Sequence, residues 1–416
     1  MIHALLETPS PPPRRRPLSA APDIDLIAGT FYSDDPHRAF RWMREHEPVF
    51  YDRANDIYGI ALHADILAIS KDAETFCSGR GFRPDSPNLP MMINMDRPEH
   101  MTRRNLVNRG FTTRQVALRG PRIRELCRQI IDAACEKREF DFAQEVAGKI
   151  PIAVVGELLG VKAEDNARLL GWSDDLMHAL GSTDPTLLAR QAQALNEWSV
   201  YNSAVVADRR ARPPGEDLMS VWVHAEIDGE RLDDQSLLME SLLILIGGDE
   251  TARHVISGGM YQLMLHPEQM RRLSADLSAV PRAVEEMLRW VTPFQNMMRT
   301  VTRDTELRGV ALREGARLLL LYPSANRDES VFDRPDEFDI ERDPNPHVAF
   351  GGSGNHFCLG SALARLELQI AIEEILQRMP NLQLASDTPP RLLPAAFATG
   401  IESLPVRLGG AAEERR

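Results

Sequence analysis

Cys358 stands in the stretch Phe350-Gly-Gly-Ser-Gly-Asn-His-Phe-Cys-Leu-Gly360. Four glycines among these residues let the backbone come close to something bulky. Residues 359–378 carry a helical pattern, so the thiol lies at the mouth of a helix. The positive end of a helix lowers a thiol pKa and favours the thiolate. A thiolate on a loop with open amide groups is what a haem iron takes as an axial ligand. His356, two residues earlier, can reach a negative group at the edge of such a cofactor. A lone cysteine here also fits a small buried apolar residue.

A second group follows in Leu242-Leu-Ile-Leu-Ile-Gly-Gly-Asp-Glu-Thr-Ala252, inside a helix-patterned run over residues 234–265. Glycine in a helix interior costs about 1 kcal/mol relative to alanine. Gly247 and Gly248 would give room in return, so that a planar cofactor or dioxygen could lie against the backbone. Glu250 and Thr251 come next: a carboxylate that can relay protons and a hydroxyl that can donate one. Asp249 joins them as a candidate. The Thr251 hydroxyl could also bond to the Gly247 carbonyl and open the helix ladder locally. The competing reading is a packed helix crossing at the glycines, with an exposed acidic pair beside it.

Two weaker patterns complete the set. His100 and Arg104 are four apart on one helix face, where two cations repel unless an anion lies between them. Glu286 and Arg289 are three apart and can form an ion pair, which any helix can contain by chance. A solvated basic face, which Arg103 would share, is the alternative for the first pair.

The elements that must position these residues are mostly helices. Residues 1–21 are rich in Pro and Arg and read as a disordered leader; residues 411–416 read as a flexible tail. Strand signals at 48–51 and 57–62 come first, then a loop-like region at 78–96. From Arg97 the spacing predicts helices for most of the next 180 residues. Residues 307–322 predict strands around a turn at Arg308-Gly309, and 382–408 predict short strands with turns. The fold class is therefore mainly α with a minor β portion, α+β, in a single domain over residues 22–410. A formal net charge of -13 argues against nucleic acid or an anionic membrane as a partner. No run reaches the ~18 apolar residues of a membrane span. Four cysteines without disulfide or zinc spacing point to the cytoplasm.

Taken in order, His100–Arg104, Gly248–Thr251, Glu286–Arg289 and Gly354–Gly360 resemble the motifs of the cytochrome P-450 family. The haem loop of that family ends Gly-x-His-x-Cys-x-Gly, matched by Gly354, His356, Cys358 and Gly360. One departure is that the family's aromatic, seven residues before the cysteine, falls on Gly351, with Phe350 one residue further back. The resemblance implies the cytochrome P-450 fold and haem b held by Cys358. Gly247, Gly248, Phe350, Gly354 and Gly360 would lie around the cofactor. His100, Arg104, Arg299 and His356 would meet its propionates, and Glu250 and Thr251 would manage protons. Arg342 would join Glu286 and Arg289 as the third member of a structural ion cluster.

Residues 81–96, 106–111 and 242–260 are similar to the actinobacterial enzymes that hydroxylate the terminal methyl, C26 or C27, of cholesterol or cholest-4-en-3-one. The chain is thus expected to be an oxygen-dependent monooxygenase of a sterol-like substrate. Met91, Met92, Ile93, Leu243, Phe294, Asn296, Met297 and Phe397 are expected to line its apolar pocket. Since no nucleotide fingerprint of its own is visible, NAD(P)H would act only indirectly, through a ferredoxin and a ferredoxin reductase. Arg103, Arg104, Arg109, Arg114 and Arg365 are candidates for docking that acidic partner. A tailoring hydroxylase of a terpenoid, polyketide or fatty acid remains open, as does a non-catalytic haem-binding sensor or carrier.

Overall fold

A computed structural model describes residues 22–182, 184–226 and 229–409. The leader and the tail expected at 1–21 and 411–416 lie outside the described residues. Nine helices matter for the site. They are α1 (His63–Lys71), α2 (Glu99–Val107), α3 (Thr113–Cys135), α4 (Lys149–Leu159), α5 (Asn166–His178), α6 (Pro185–Arg210), α7 (Asp234–Leu265), α8 (Val280–Val291) and α9 (Ser361–Arg378).

The central element is α7. Asp233 caps it by accepting from Ser236 N at 2.7 Å, satisfying one of the free amides of its first turn. It packs against α4, α5, α6, α8 and α9, so it is buried on most sides and its pattern is apolar nearly all round. Close approach of α8 depends on missing side chains. A Cβ on Gly258 would fall 2.8 Å from Val291 Cγ2, and one on Gly259 2.6 Å from Met287 Sδ. Helix α9 begins at Ser361, with Gly360 as its N-cap. It packs along α3 and against α7.

The strand-rich part forms a five-stranded sheet. Its strands are β1 (Val49–Asp52), β2 (Ile57–Ile60), β3 (Phe76–Cys77), β4 (Asn296–Val301) and β5 (Arg317–Leu321), in the order β1-β2-β5-β4-β3. Only β2 and β5 pair in parallel. Residues Leu318 to Leu321 of β5 are all buried, as their unbroken apolar run predicted. Side chains alternate along β4, so Met297 and Arg299 face one way and Asn296 and Met298 the other. Three short strands, Glu139–Asp141, Leu382–Leu384 and Pro405–Leu408, form a second sheet. No helix among the described residues is long and apolar enough to cross a membrane.

Glu286 and Arg289 do pair, fully buried on α8, through bonds of 2.7 Å from Arg289 Nε and Nη2. Arg342 Nε reaches Glu286 Oε2 at 3.1 Å, and Asn345 and the Asp339 amide also donate to that carboxylate. Arg289 spends its remaining donors on the carbonyls of Asn326, Pro335 and Glu337. The cluster fastens the chain ahead of the Cys358 loop to α8. Replacing one member strands a buried charge, so Glu286→Leu is expected to lower unfolding free energy by about 3–5 kcal/mol. Thermal denaturation of the two proteins checks this, and equal melting temperatures would contradict it.

Candidate functional site

Residues 349–360 carry Cys358 to the floor of an internal cavity of about 230 Å³ that opens between α7, α9, α2 and β4. The loop is pressed against the end of α1. A Cβ on Gly354 would fall 2.1 Å from Ser70 O, and one on Gly352 2.3 Å from Ser70 Oγ. Gly354 also has φ +112°, a conformation that side chains disfavour. It therefore shapes the back of the loop and does not line the cavity, unlike Gly360, which does. Phe350 lines the cavity too, and its carbonyl accepts from Cys358 N at 3.1 Å. The turn at Gly351, φ +84°, brings this aromatic to the site although it is one residue out of the usual register.

The thiol differs from the sequence expectation in one respect. Burial pushes the Cys358 pKa up, and this outweighs the amides of Gly360 and Ser361 and the charges of Arg104 and Arg365 that favour the thiolate. The helix-end effect is present, but the apolar surroundings win; a metal cation at the sulfur would reverse the balance.

His100, Arg104, Arg299 and His356 converge on the cavity from α2, β4 and the Cys358 loop. The rings of His100 and His356 lie 4.1 Å apart, and both ring nitrogens of buried His100 lack a hydrogen-bond partner. Burial and neighbouring cations, Arg104 for His100 and Arg299 for His356, hold these imidazoles down to about 4 and about 2. Four donors crowded with unused nitrogens fit a group that brings its own anions. With a thiol on the floor, the residues present fit a haem and its propionates. Tyr322, which no sequence signal marked, lies among them at the end of β5.

Above the floor, α7 runs unbroken through Gly247 and Gly248. Thr251 lines the cavity, and its hydroxyl donates to Gly247 O at 2.8 Å. The two glycines differ. A Cβ on Gly247 would meet nothing within 4 Å, whereas one on Gly248 would fall 2.6 Å from Val155 Cγ2 of α4. Gly247 gives the room expected of the pair, and Gly248 mainly permits a helix crossing.

The acids turn away from the cavity. Glu250 is fully buried, accepts from Arg253 Nη2 at 2.5 Å, and has its other oxygen 3.1 Å from His254 Nε2. Burial opposes its charge, but the contact with His254 and the Arg253 charge outweigh it and hold the carboxyl low, at about 2. Arg253 continues to half-buried Asp174 at 2.8 Å. The exposed acidic pair considered from sequence is thus replaced by a buried network. Asp249 is buried with neither oxygen hydrogen-bonded, and burial together with the Glu250 charge pushes its carboxyl up. Glu367 on α9 lines the cavity, and burial first, then Asp249, raises it to about 8. Its signal was readable: an acid among Leu363, Ile370 and Ala371 on one face of α9.

Met92, Ile93, Leu243, Phe294 and Met297 line the apolar part of the cavity. Three expected members do not. Met91 packs in the helical core. Asn296 points through the sheet, donating to Tyr32 OH and Ala396 O at 3.0 and 2.8 Å, as strand alternation requires. Phe397 lies one ring further out, stacked on Phe294 at 4.6 Å. Val155, Leu158, Ile244 and Val255, four apolar residues of α4 and α7, complete the wall.

Comparison with known proteins adds to this geometry. A family model described as Cytochrome P450 matches residues 91–402. A Steroid C26-monooxygenase of Mycolicibacterium smegmatis is 47% identical over 387 residues, 92% of this chain and 96% of that protein. A methyl-branched lipid omega-hydroxylase of Mycobacterium tuberculosis is 34% identical over 422 residues, 95% of this chain and 96% of that protein. A Mycobacterium marinum cytochrome P450, solved in complex with pseudoionone, superposes with a TM-score of 0.85 at 31% identity, covering 94% of this chain and 99% of that one.

The two glycines give a paired prediction. Gly248→Ala forces Val155 or a helix to move and is expected to cost about 1–3 kcal/mol. Gly247→Ala should leave stability unchanged or slightly raised but weaken ligand binding in the cavity. Melting curves and ligand titrations of both variants check the contrast; the reverse assignment would contradict it.

Proposed function

The chain belongs to the cytochrome P450 family, and from that premise we propose that it hydroxylates the terminal side-chain carbon, C26 or C27, of a sterol such as cholesterol or cholest-4-en-3-one. The observation that carries the reading is the 47% identity, over nearly the whole of both chains, to the Steroid C26-monooxygenase of Mycolicibacterium smegmatis. The apolar cavity wall is consistent with a hydrocarbon terminus near the floor. The protein is an oxygen-dependent monooxygenase.

Haem b, which Cys358 would hold, would supply dioxygen activation for hydroxylation of a C–H bond. His100, Arg104, Arg299 and His356 would bind and orient its carboxylates, and Phe350 would exclude water beside the sulfur. Gly247 leaves open space on the α7 side of the cavity. Thr251 holds its proton on Gly247 O at rest, so it must rotate to donate toward the cavity. Its proton is replaced through Glu250, which first has to leave Arg253 and His254. Asp174, half-buried beyond Arg253, is the outer end of that path. Asp249 and Glu367, both pushed toward their protonated forms, hold further protons beside the cavity.

Electrons come from a ferredoxin and its reductase. Of the five arginines considered for docking, three are committed elsewhere: Arg103 to Glu240, Arg104 to Phe357 O and Arg365 to Glu285. Arg109 and Arg114 are exposed and carry that role. The four cysteines are free, in keeping with a reducing cytoplasm.

A second reading, terminal hydroxylation of a methyl-branched lipid, is favoured by the 34% identical omega-hydroxylase. Titrating the purified haem protein with cholest-4-en-3-one and with branched fatty acids, then identifying products with surrogate redox partners, separates the two. The sterol is expected to give the larger spectral shift and a terminal alcohol. Thr251→Ala and Glu250→Gln are expected to lower product formed per reducing equivalent at least about tenfold. A sterol that neither shifts the spectrum nor is hydroxylated would overturn the assignment.

A further inference from the structure

Glu240 is a fully buried acid with no place in the chemistry described above. It lies on α7 one turn before Leu243 and Ile244, on the same helix face, but does not itself line the cavity. Its Oε1 accepts from Met92 N at 2.9 Å and from Arg103 Nη1 at 3.1 Å, while Oε2 is buried without a partner. Burial pushes the carboxyl up to about 7 against the Arg103 charge and both bonds. Keeping such a group is costly where an apolar side chain would pack, so its two bonds need a purpose.

Both partners lead to the site. Met92 opens the short turn Met92–Asn94 in the loop of residues 78–96, and Met92 and Ile93 line the cavity. The neighbouring hydrogen bonds of that loop close on the loop itself. Leu89 N bonds to Pro87 O, Met91 N to Leu89 O, Asn94 N to Met91 O and Asn94 Nδ2 to Leu89 O. These four shape the loop around Met92, while its ties to other elements lie nearer its ends, where Phe82 O accepts from Met298 N of β4 and Asp96 O from His100 N of α2, both at 2.8 Å. Arg103 lies on α2 between His100 and Arg104, two of the anion-binding residues. A single carboxylate therefore joins the cavity wall, the helix carrying the anion clamp, and the central helix.

We propose that Glu240 is a positioning residue for substrate: it latches the loop of residues 78–96 onto α7 and sets how far Met92 and Ile93 reach into the cavity. This rests on the reading of the cavity as the sterol site. The latch thus fixes the width available to a branched apolar chain, and its loss should be felt in binding before chemistry. The Met92 bond needs only an acceptor, so a glutamine keeps it, whereas a leucine removes it at similar volume.

The test uses the full, haem-loaded chain. In substrate-free wild type, the Met92 amide is expected to exchange with deuterium more slowly than the Asp85 and Asn88 amides of the same loop. Glu240→Leu should speed exchange at residues 91–94 and raise the Kd for cholest-4-en-3-one about tenfold, the size of one lost hydrogen bond to a charged group. Its kcat at saturation should stay within about threefold, a split that general loosening of the fold would not give. Glu240→Gln should restore slow exchange and most of the affinity. A wild-type Met92 amide as labile as Asn88, or a leucine variant with unchanged exchange and Kd, overturns the latch. Should the leucine variant not hold haem, the wild-type exchange pattern and the glutamine rescue decide. The exchange arm needs no sterol, so a wild type that ignores cholest-4-en-3-one sinks the substrate reading alone.

Discussion

A sulfur that must meet a broad, flat cofactor has to be delivered by a backbone that keeps its own side chains out of the way. The loop of residues 349–360 does this by pressing Gly352 and Gly354 onto Ser70, where any Cβ would collide with α1. Helix α1 is thus a backstop for the loop, and the amides of Gly360 and Ser361, where α9 begins, favour the thiolate. The buried cluster of Glu286, Arg289 and Arg342 secures the chain that leads into this loop. Without that placement the Cys358 thiol would not reach the floor of the cavity.

The second constraint is electrostatic. Two imidazoles and two guanidinium groups face the cavity, with the ring nitrogens of His100 lacking a hydrogen-bond partner and both histidines pushed toward their neutral forms by burial and cationic neighbours. Such an arrangement is unfavourable by itself and becomes favourable when carboxylates arrive. On the other side of α7, Glu250 is charged and bonded to Arg253 and His254, while Asp249 is pushed toward its neutral form. Adjacent acids on one helix are thus pushed in opposite directions, one toward its charged form and one toward its neutral form.

Much of this was legible in the residues. The bounds of α7, the buried strand β5 and the ion pair of α8 follow from periodicity and spacing, because each depends on local pattern. The bond from Thr251 to the Gly247 carbonyl was also readable, since it spans a single helical turn. What depended on tertiary packing was not. Nothing local says that Gly248 faces Val155 while Gly247 faces open space, or that Arg253 reaches Asp174 on α5 and that Glu250 is buried beneath the pair. Asn296 was misplaced because a strand exposes alternate residues to opposite faces, and the sequence does not say which face meets the cavity. The thiol of Cys358 shows the same division: the helix end could be foreseen, but the burial that outweighs it could not.

The carbon monoxide difference spectrum of the reduced protein, compared with that of Cys358→Ser, tests the thiolate most directly. Wild type should show the red-shifted Soret band of a thiolate-ligated ferrous haem, and the serine variant should lose it while still folding. A variant that kept that band, or a wild type that never gave it, would contradict the assignment of sulfur to iron.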